Sequence, residues 1–301
     1  MGHATIVLTG PTASGKTTIA ETLATECSGE IVSADSRTVY SEIMIGNGRY
    51  TMSKDIVYHL VGTRKLGEPY SVHDFLMEAR ASVEDIHRRG GTPIVCGGTC
   101  HFIERFLRGL DPGPPPDWDL RQHYRRLTFK HGPELLHSIL EEKDPLKAAK
   151  IHVNDLKRTI RALEDLAPVE KRPPIPPFQD EVKAFFLDLP PRESRERIER
   201  RTAEMFELGW IEEAKRLLEM GFDERTAGLD MIGFHEVFEH LRGNLPLREA
   251  QERIMARTTR YAKAQRKWAS RLGLNMIDAS VNASRPPIET VREISDIGRG
   301  R

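Results

Sequence analysis

The chain has 301 residues, 39% of them hydrophobic, and its 45 lysines and arginines balance its 45 aspartates and glutamates. This length predicts a large core with an insertion or appendage, while the charge balance excludes a global attraction to nucleic acid or membrane. The three scattered cysteines exclude a disulfide framework, and no apolar run approaches the roughly 20 residues of a membrane span, so we expect a cytoplasmic protein.

The first predicted strand, ATIVLTG at residues 4–10, runs into the loop GPTASGKT and then into a helical pattern. This loop fits the P-loop pattern GxxxxGK followed by Ser or Thr, in its usual place between strand and helix. Its backbone N–H groups can hold a diphosphate, with Lys16 on the phosphate oxygens and the Thr17 hydroxyl on Mg²⁺. The predicted diphosphate-binding residues are Gly10, Thr12, Ala13, Ser14, Gly15, Lys16 and Thr17.

Two more buried strands are predicted at residues 30–36, EIVSADS, and 92–99, TPIVCGGT, with amphipathic helices after them. This alternation predicts an α/β fold, a P-loop NTPase-like parallel sheet whose ligands lie beyond the carboxyl ends of the strands. A kinase or ATPase would show an acid after the later strand, where Gly97, Gly98 and Thr99 stand. Asp35 lies at the carboxyl end of the earlier strand, residues 30–36. An acid at this position suits a general base or the cap of a turn.

Two proline-rich breaks divide the chain. The first, DPGPPPDWD at residues 111–119, precedes purely helical patterns, and the second, KRPPIPPF at residues 171–178, precedes a returning strand and further helices. We therefore predict a P-loop core at residues 1–116, a helical insertion at 117–177, the rest of the core with basic C-terminal helices at 178–280, and a tail at 281–301.

Two segments are basic despite the neutral chain. Residues 121–172 carry 12 basic and 8 acidic side chains, and residues 246–271 carry 8 basic and 2 acidic ones. In the second segment Arg257, Arg260, Lys263 and Lys267 share a helical face. A solvated helix face is the simplest interpretation of either segment, but two such surfaces beside a phosphate loop favour a polyanionic partner.

The motifs together resemble one family, the tRNA dimethylallyltransferases. They occur in that family's order over about residues 6–271: GPTASGKT, SADSRTVY, YHLVGTRKLGEPYSVHDF, VCGGTCHFIERFLRGL, DPLKAAKIHVNDLKRTIRALE, GWIEEAKRLL, IGFHE and TTRYAKAQRKW. The resemblance implies transfer of a five-carbon prenyl group from dimethylallyl diphosphate to N6 of the adenine 3′ of the anticodon. It implies Mg²⁺ as cofactor and the tRNA anticodon stem-loop as partner, and we expect a monomer.

The same resemblance implies the roles of individual residues. Asp35 is the base, Lys16 acts on the diphosphate, and Thr99 lies between the diphosphate and the attacking amine, although Thr99 also suits the N-cap of the next helix. Residues implied to bind tRNA are Asp35, Ser36, Arg37, Thr38, Thr99, Arg121, Arg158 and Arg161, together with Asn154 and Asp155. Thr38 departs from the family, which has glutamine there, and a threonine cannot make the bidentate amide contact to a base edge.

Other departures are GNGRYT, the pair Cys100 and His101, and IGFHE. Three alternatives stay open. One is an adenylate prenyltransferase of cytokinin type on the same fold, which these differences favour, and the others are a P-loop kinase or ATPase and a non-catalytic RNA-binding module.

Overall fold

A computed structural model describes residues 4–167 and 172–294, and it divides the chain into two compact units. The core unit comprises Met1–Arg108 and Phe178–Arg301, and the insertion unit comprises Gly109–Pro177. Each unit has a hydrophobic core of its own.

The core unit is built on one six-stranded sheet in which every neighbouring pair of strands is parallel. The strands are β1 (Thr5–Thr9), β2 (Gly29–Ser33), β3 (Tyr58–His59), β4 (Thr92–Gly97), β5 (Val182–Asp188) and β6 (Asn275–Asp278), in the order β3-β2-β4-β1-β5-β6. Strand β1 lies between β4 and β5 and is buried along its whole length, as expected of a continuous apolar run in a parallel sheet. The predicted α/β fold with a parallel sheet is confirmed.

Helices cover this sheet and extend the unit. They are α1 (Lys16–Glu26), α2 (Val72–Arg88), α3 (Cys100–Arg108), α8 (Pro191–Glu207), α9 (Trp210–Glu219), α10 (Phe234–Leu241), α11 (Leu247–Ala269) and α12 (Pro287–Ile294). Helix α2 begins with a capping box, because Ser71 accepts from the Asp74 N–H and Asp74 accepts from the Ser71 N–H. A second apolar cluster, centred on Trp210 and Phe234, joins α9 and α10 to the segment that follows β2.

Helix α12 differs from the sequence prediction of a tail at residues 281–301. Val291 is fully buried, and Arg292 forms an ion pair with Glu26 of α1. The helix is stabilised by this contact with a distant part of the chain, which its short apolar pattern does not reveal. The rest of that predicted tail, residues 295–301, lies outside the described residues.

The insertion unit consists of α4 (Trp118–His131), α5 (Pro133–Lys143), α6 (Pro145–Ala148) and α7 (Leu156–Glu164). Asp117, Asp144 and Asp155 cap three of these helices by accepting backbone N–H bonds. The unit begins at Gly109, ahead of the predicted residue 117, because Leu110 and Ile175 exchange two backbone hydrogen bonds of 2.8 and 2.7 Å. Within residues 4–167 and 172–294, no helix has the length and hydropathy needed to cross a membrane.

Candidate active site

A cavity of about 360 Å³ lies in the core unit where β1, β2 and β4 end. Three predicted motifs line it: the P-loop after β1, residues 35–38 after β2, and Gly97, Gly98 and Thr99 after β4. The structure therefore brings the predicted diphosphate loop, the predicted base and the predicted threonine to one place. This is the expected position of a ligand site in a parallel sheet.

The P-loop backbone is left-handed at two positions, of which only Gly15 is a residue that adopts this region without strain. Ala13 and Gly15 lie in the left-handed region, with φ of 62° and 85°. A Cβ atom on Gly10 would lie 2.8 Å from Ser14 Oγ and 2.9 Å from the Leu187 carbonyl oxygen, so only glycine fits there. Helix α1 starts directly after the loop without a side-chain cap, which leaves its first N–H groups available to an anion.

Lys16 and Thr17 follow at the first turn of α1, and both line the cavity. The Lys16 ammonium donates to the Pro11 carbonyl oxygen at 3.3 Å. Its burial, reinforced by Arg201, lowers the pKa of Lys16, while Cys96 and Asp35 act in the opposite direction. Lys16 is thus a partly desolvated cation, which interacts more strongly with a phosphate group than a fully hydrated one does.

Asp35 and Thr99 also line the cavity, and each accepts a hydrogen bond from a backbone N–H group. Asp35 Oδ1 accepts the N–H of Arg37 at 2.8 Å, so Asp35 does close a turn, and it also lines the cavity. Thr99 Oγ1 accepts the N–H of Ser36 at 3.0 Å. A Cβ atom on Gly97 would lie 2.1 Å from the Ala34 carbonyl oxygen, so glycine is what allows the two strand ends to approach so closely.

Two of the residues predicted to bind tRNA have partners inside the protein. Thr38 is only 5% exposed, and its hydroxyl lies 2.9 Å from Ser33 Oγ. Arg37 forms an ion pair with Asp230. Both residues line the cavity, and each already has a side-chain partner in the protein.

Among the side chains at this site that sequence reasoning missed, three bond to its loops and line the cavity. Arg201 of α8 donates to Thr12 Oγ1 at 3.2 Å, Gln265 of α11 bonds to the Thr12 N–H, and the Tyr261 hydroxyl donates to the Gly98 carbonyl oxygen at 3.1 Å. Each belongs to a charge-rich helix and lies more than 150 residues from its partner along the chain. No spacing rule within one helix predicts contacts over such distances.

Of the four cations predicted to share a face of α11, three are exposed and one is paired with a buried acid. Arg257 pairs with the buried carboxylate of Glu236, whereas Arg260, Lys263 and Lys267 are exposed. Tyr261, predicted to lie in a packed stripe with Ile254 and Trp268, is 41% exposed and lies at the cavity.

The predicted tRNA-binding arginines of the insertion unit differ sharply in environment. Arg121 makes a bidentate contact of 2.6 and 2.8 Å with Glu164, which is 2% exposed, and stacks over the Trp118 ring at 4.7 Å. Arg161 bonds to the same carboxylate and to the carbonyl oxygens of Pro112 and Pro114. The side chain of Arg158, by contrast, is 75% exposed. Arg121 and Arg161 therefore neutralise a buried acid, and Arg158 is accessible to a partner.

Comparison with known proteins gives a consistent result. A family model described as IPP transferase matches residues 38–272, and one described as isopentenyl transferase matches residues 4–66. The tRNA dimethylallyltransferase of Chlorobium phaeovibrioides is 35% identical over 287 residues, which cover 92% of this chain and 93% of that protein. The tRNA dimethylallyltransferase 2 of Syntrophus aciditrophicus is 38% identical over 274 residues, which cover 87% of this chain and 88% of that protein.

Solved structures are similar over nearly the same range. A tRNA isopentenylpyrophosphate transferase from Bacillus halodurans matches with a TM-score of 0.69 and 29% identity, covering 98% of this chain and 95% of that chain. A eukaryotic dimethylallyltransferase described as acting on tRNA matches with a TM-score of 0.71 and 25% identity, covering 93% of this chain and 74% of that chain.

Proposed function

The chain belongs to the IPP transferase family, the tRNA dimethylallyltransferases, as its motifs predict; we propose that it transfers the dimethylallyl group of dimethylallyl diphosphate to tRNA. The proposed acceptor is N6 of the adenine 3′ of the anticodon. The observation that carries this proposal is a shared cavity, which Lys16 and Thr17 of the P-loop line together with Asp35 and Thr99.

The donor suits this cavity at both ends. Its diphosphate would lie on the P-loop, near Lys16 and Arg201, where negative charge grows as the bond from the allylic carbon to oxygen breaks. Its hydrocarbon end would lie against an apolar part of the lining formed by Ile198, Met205, Trp210, Met231 and Ile254. Such a wall shields the developing allylic cation from water, which would otherwise capture it.

The acceptor amine needs help because its lone pair is delocalised into the adenine ring. Asp35 Oδ1 is fixed by the Arg37 N–H, and Oδ2 is left as the oxygen that takes the N6 proton while the bond from N6 to carbon forms. The products are then N6-dimethylallyl-adenine in the tRNA, diphosphate, and a protonated Asp35. The target base has to leave its stack to enter the cavity.

Mg²⁺ is part of the proposal, with the Thr17 hydroxyl as its protein ligand. The ion prefers oxygen ligands and keeps several waters, so one hydroxyl beside a diphosphate suits it. When bound, it would neutralise charge on the leaving diphosphate. Within the described ranges 4–167 and 172–294, no group of three or more His, Cys, Asp or Glu is arranged to hold a metal by itself.

The proposal for tRNA as acceptor draws on the exposed cations of both units. Arg260, Lys263 and Lys267 on α11, and Arg158 on α7, are accessible to phosphate groups. A free adenine nucleotide would not need such surfaces.

A direct competition experiment tests the proposal. The protein is incubated with dimethylallyl diphosphate, Mg²⁺, unmodified tRNA and an excess of AMP, and both adenine products are quantified by mass spectrometry. We expect prenylated tRNA alone. Prenylated AMP without modified tRNA would identify an adenylate prenyltransferase instead. In a separate reaction with ATP and no prenyl donor, release of phosphate would identify an ATPase.

A further inference from the structure

We propose that Gln265 is a positioning residue of the transfer reaction, because its side chain joins the loop for the donor to the loop that carries Thr99. This inference rests on the proposed function and adds a residue that lines the cavity and acts through the two loops that it joins.

The Gln265 side chain makes one hydrogen bond to each loop. It is 2% exposed, its Oε1 accepts the Thr12 N–H at 3.1 Å, and its Nε2 donates to the Gly98 carbonyl oxygen at 2.7 Å. One partner is a donor and the other an acceptor, so a terminal amide satisfies both at once, whereas a carboxylate lacks the donor and an ammonium lacks the acceptor.

The Gly98 end of this bridge is fixed at a second point. The Tyr261 hydroxyl, one helical turn earlier on α11, donates to the same carbonyl oxygen at 3.1 Å. A Cβ atom on Gly98 would lie 2.9 Å from Gln265 Nε2, so glycine at this position gives the amide its access. Because Thr99 follows directly in the chain, α11 fixes the backbone that places the Thr99 hydroxyl.

The Thr12 end of the bridge shapes the P-loop. The Thr12 N–H donates to Gln265 of α11, and the Thr12 hydroxyl accepts from Arg201 of α8. Side chains of two helices therefore hold Thr12 in place. Helix α11 is itself anchored, since Arg266 pairs with Asp188 and Arg257 pairs with Glu236. Gln265 therefore sets the spacing between the loop that would bind the donor and the residue expected beside the attacking amine.

If Gln265 sets this spacing, replacing it should slow turnover and leave the binding of both substrates intact. A displacement of about 1 Å between reacting groups can lower a rate by about 100-fold. In Gln265→Met, which has a similar length but no amide, we expect kcat to fall by about 10- to 100-fold, with both KM values and the Kd for inorganic diphosphate within about threefold of wild type. The matched control is Gln251→Met, the same change at a half-buried site roughly 21 Å away along the same helix.

A second variant keeps the inference testable if Gln265→Met does not fold. Gln265→Glu has the same size and can still accept the Thr12 N–H, but its carboxylate cannot donate to the Gly98 carbonyl oxygen. We expect the thermal midpoint to show a folded protein and kcat to fall at least about 10-fold, since the Gly98 end is released.

The outcomes separate this inference from the proposed function. A folded Gln265→Met or Gln265→Glu protein with kcat within twofold of wild type would overturn the role of Gln265 and leave the activity standing. A loss of diphosphate affinity that accounts for the whole defect would also overturn it, because it would make Gln265 a binding residue of the P-loop. Absence of tRNA prenylation by the wild-type protein would instead refute the proposed function.

Discussion

The side-chain oxygen of Thr99 accepts a hydrogen bond from the backbone N–H of Ser36 at 3.0 Å. This bond joins the ends of β4 and β2 and fixes the segment in which Asp35 lies. It means that Thr99 fixes the backbone next to the predicted base before any substrate binds.

Two substitutions at Thr99 distinguish the role of its hydroxyl from the role of the volume of its side chain. Thr99→Val leaves the Ser36 N–H without its acceptor, which costs about 1–3 kcal/mol and shifts residues 35–37, so we expect kcat to fall by at least about 10-fold. Thr99→Ser keeps the oxygen and should retain most activity. Steady-state kinetics with saturating tRNA checks both, and equal activity of the two variants would contradict this role.

Arg201 should contribute to donor binding. Arg201 lines the cavity and donates to Thr12 of the P-loop, and a lost hydrogen bond to a charged group costs about 1.5–3 kcal/mol. For Arg201→Met we expect the Kd of inorganic diphosphate to rise by roughly 10- to 100-fold. Arg200→Met, an exposed neighbour on the same helix, serves as the control and should change this Kd less than twofold. Equal effects of the two variants would show a general loss of positive charge.

The pH dependence of diphosphate binding should report the loss of the positive charge on Lys16. Burial lowers its pKa below the ordinary 10.5, so the cation is lost as pH rises through this lowered value and binding weakens there. Lys16→Arg keeps its charge over the same range and should show no alkaline decline, even if its affinity is lower. Calorimetric titration with inorganic diphosphate across alkaline pH tests this, and a wild-type affinity that stays constant up to pH 10.5 would contradict it.

Arg121 and Arg158 should behave in opposite ways. Arg121→Ala leaves the buried carboxylate of Glu164 with Arg161 as its cationic partner, and we expect the free energy of unfolding to fall by about 3 kcal/mol. Arg158→Ala should change stability by less than about 0.5 kcal/mol, while tRNA affinity falls and the salt dependence of binding decreases by about one phosphate contact. Urea unfolding and tRNA titrations at several salt concentrations measure both. A reversed pattern would make Arg121 the RNA contact.

The sequence predicted the features that depend on local motifs and on the parallel arrangement of the strands. The P-loop, Asp35 and Thr99 converge because parallel strands end at the same edge of the sheet. It did not predict β6, a four-residue strand with mostly exposed side chains that is defined by its pairing with β5.

The site residues that were missed share one cause. Gln265 contacts Thr12 across 253 positions of the chain, within a helix whose sequence is dominated by charge. In the same way, Arg121 is basic in sequence, but its partner Glu164 lies 43 positions further on, so a count of charges cannot tell a neutralised arginine from an accessible one. Both distinctions depend on tertiary packing.

Mapping the modified nucleotide tests the central claim most directly. Unmodified tRNA with adenine 3′ of the anticodon is treated with the wild-type protein, Mg²⁺ and dimethylallyl diphosphate, with Asp35→Asn as the control, and nuclease fragments are analysed by mass spectrometry. We predict one N6-dimethylallyl-adenosine, at that position, with the wild-type protein and none with Asp35→Asn, which should still bind tRNA. Modification at another nucleotide, or equal modification by Asp35→Asn, would contradict this account.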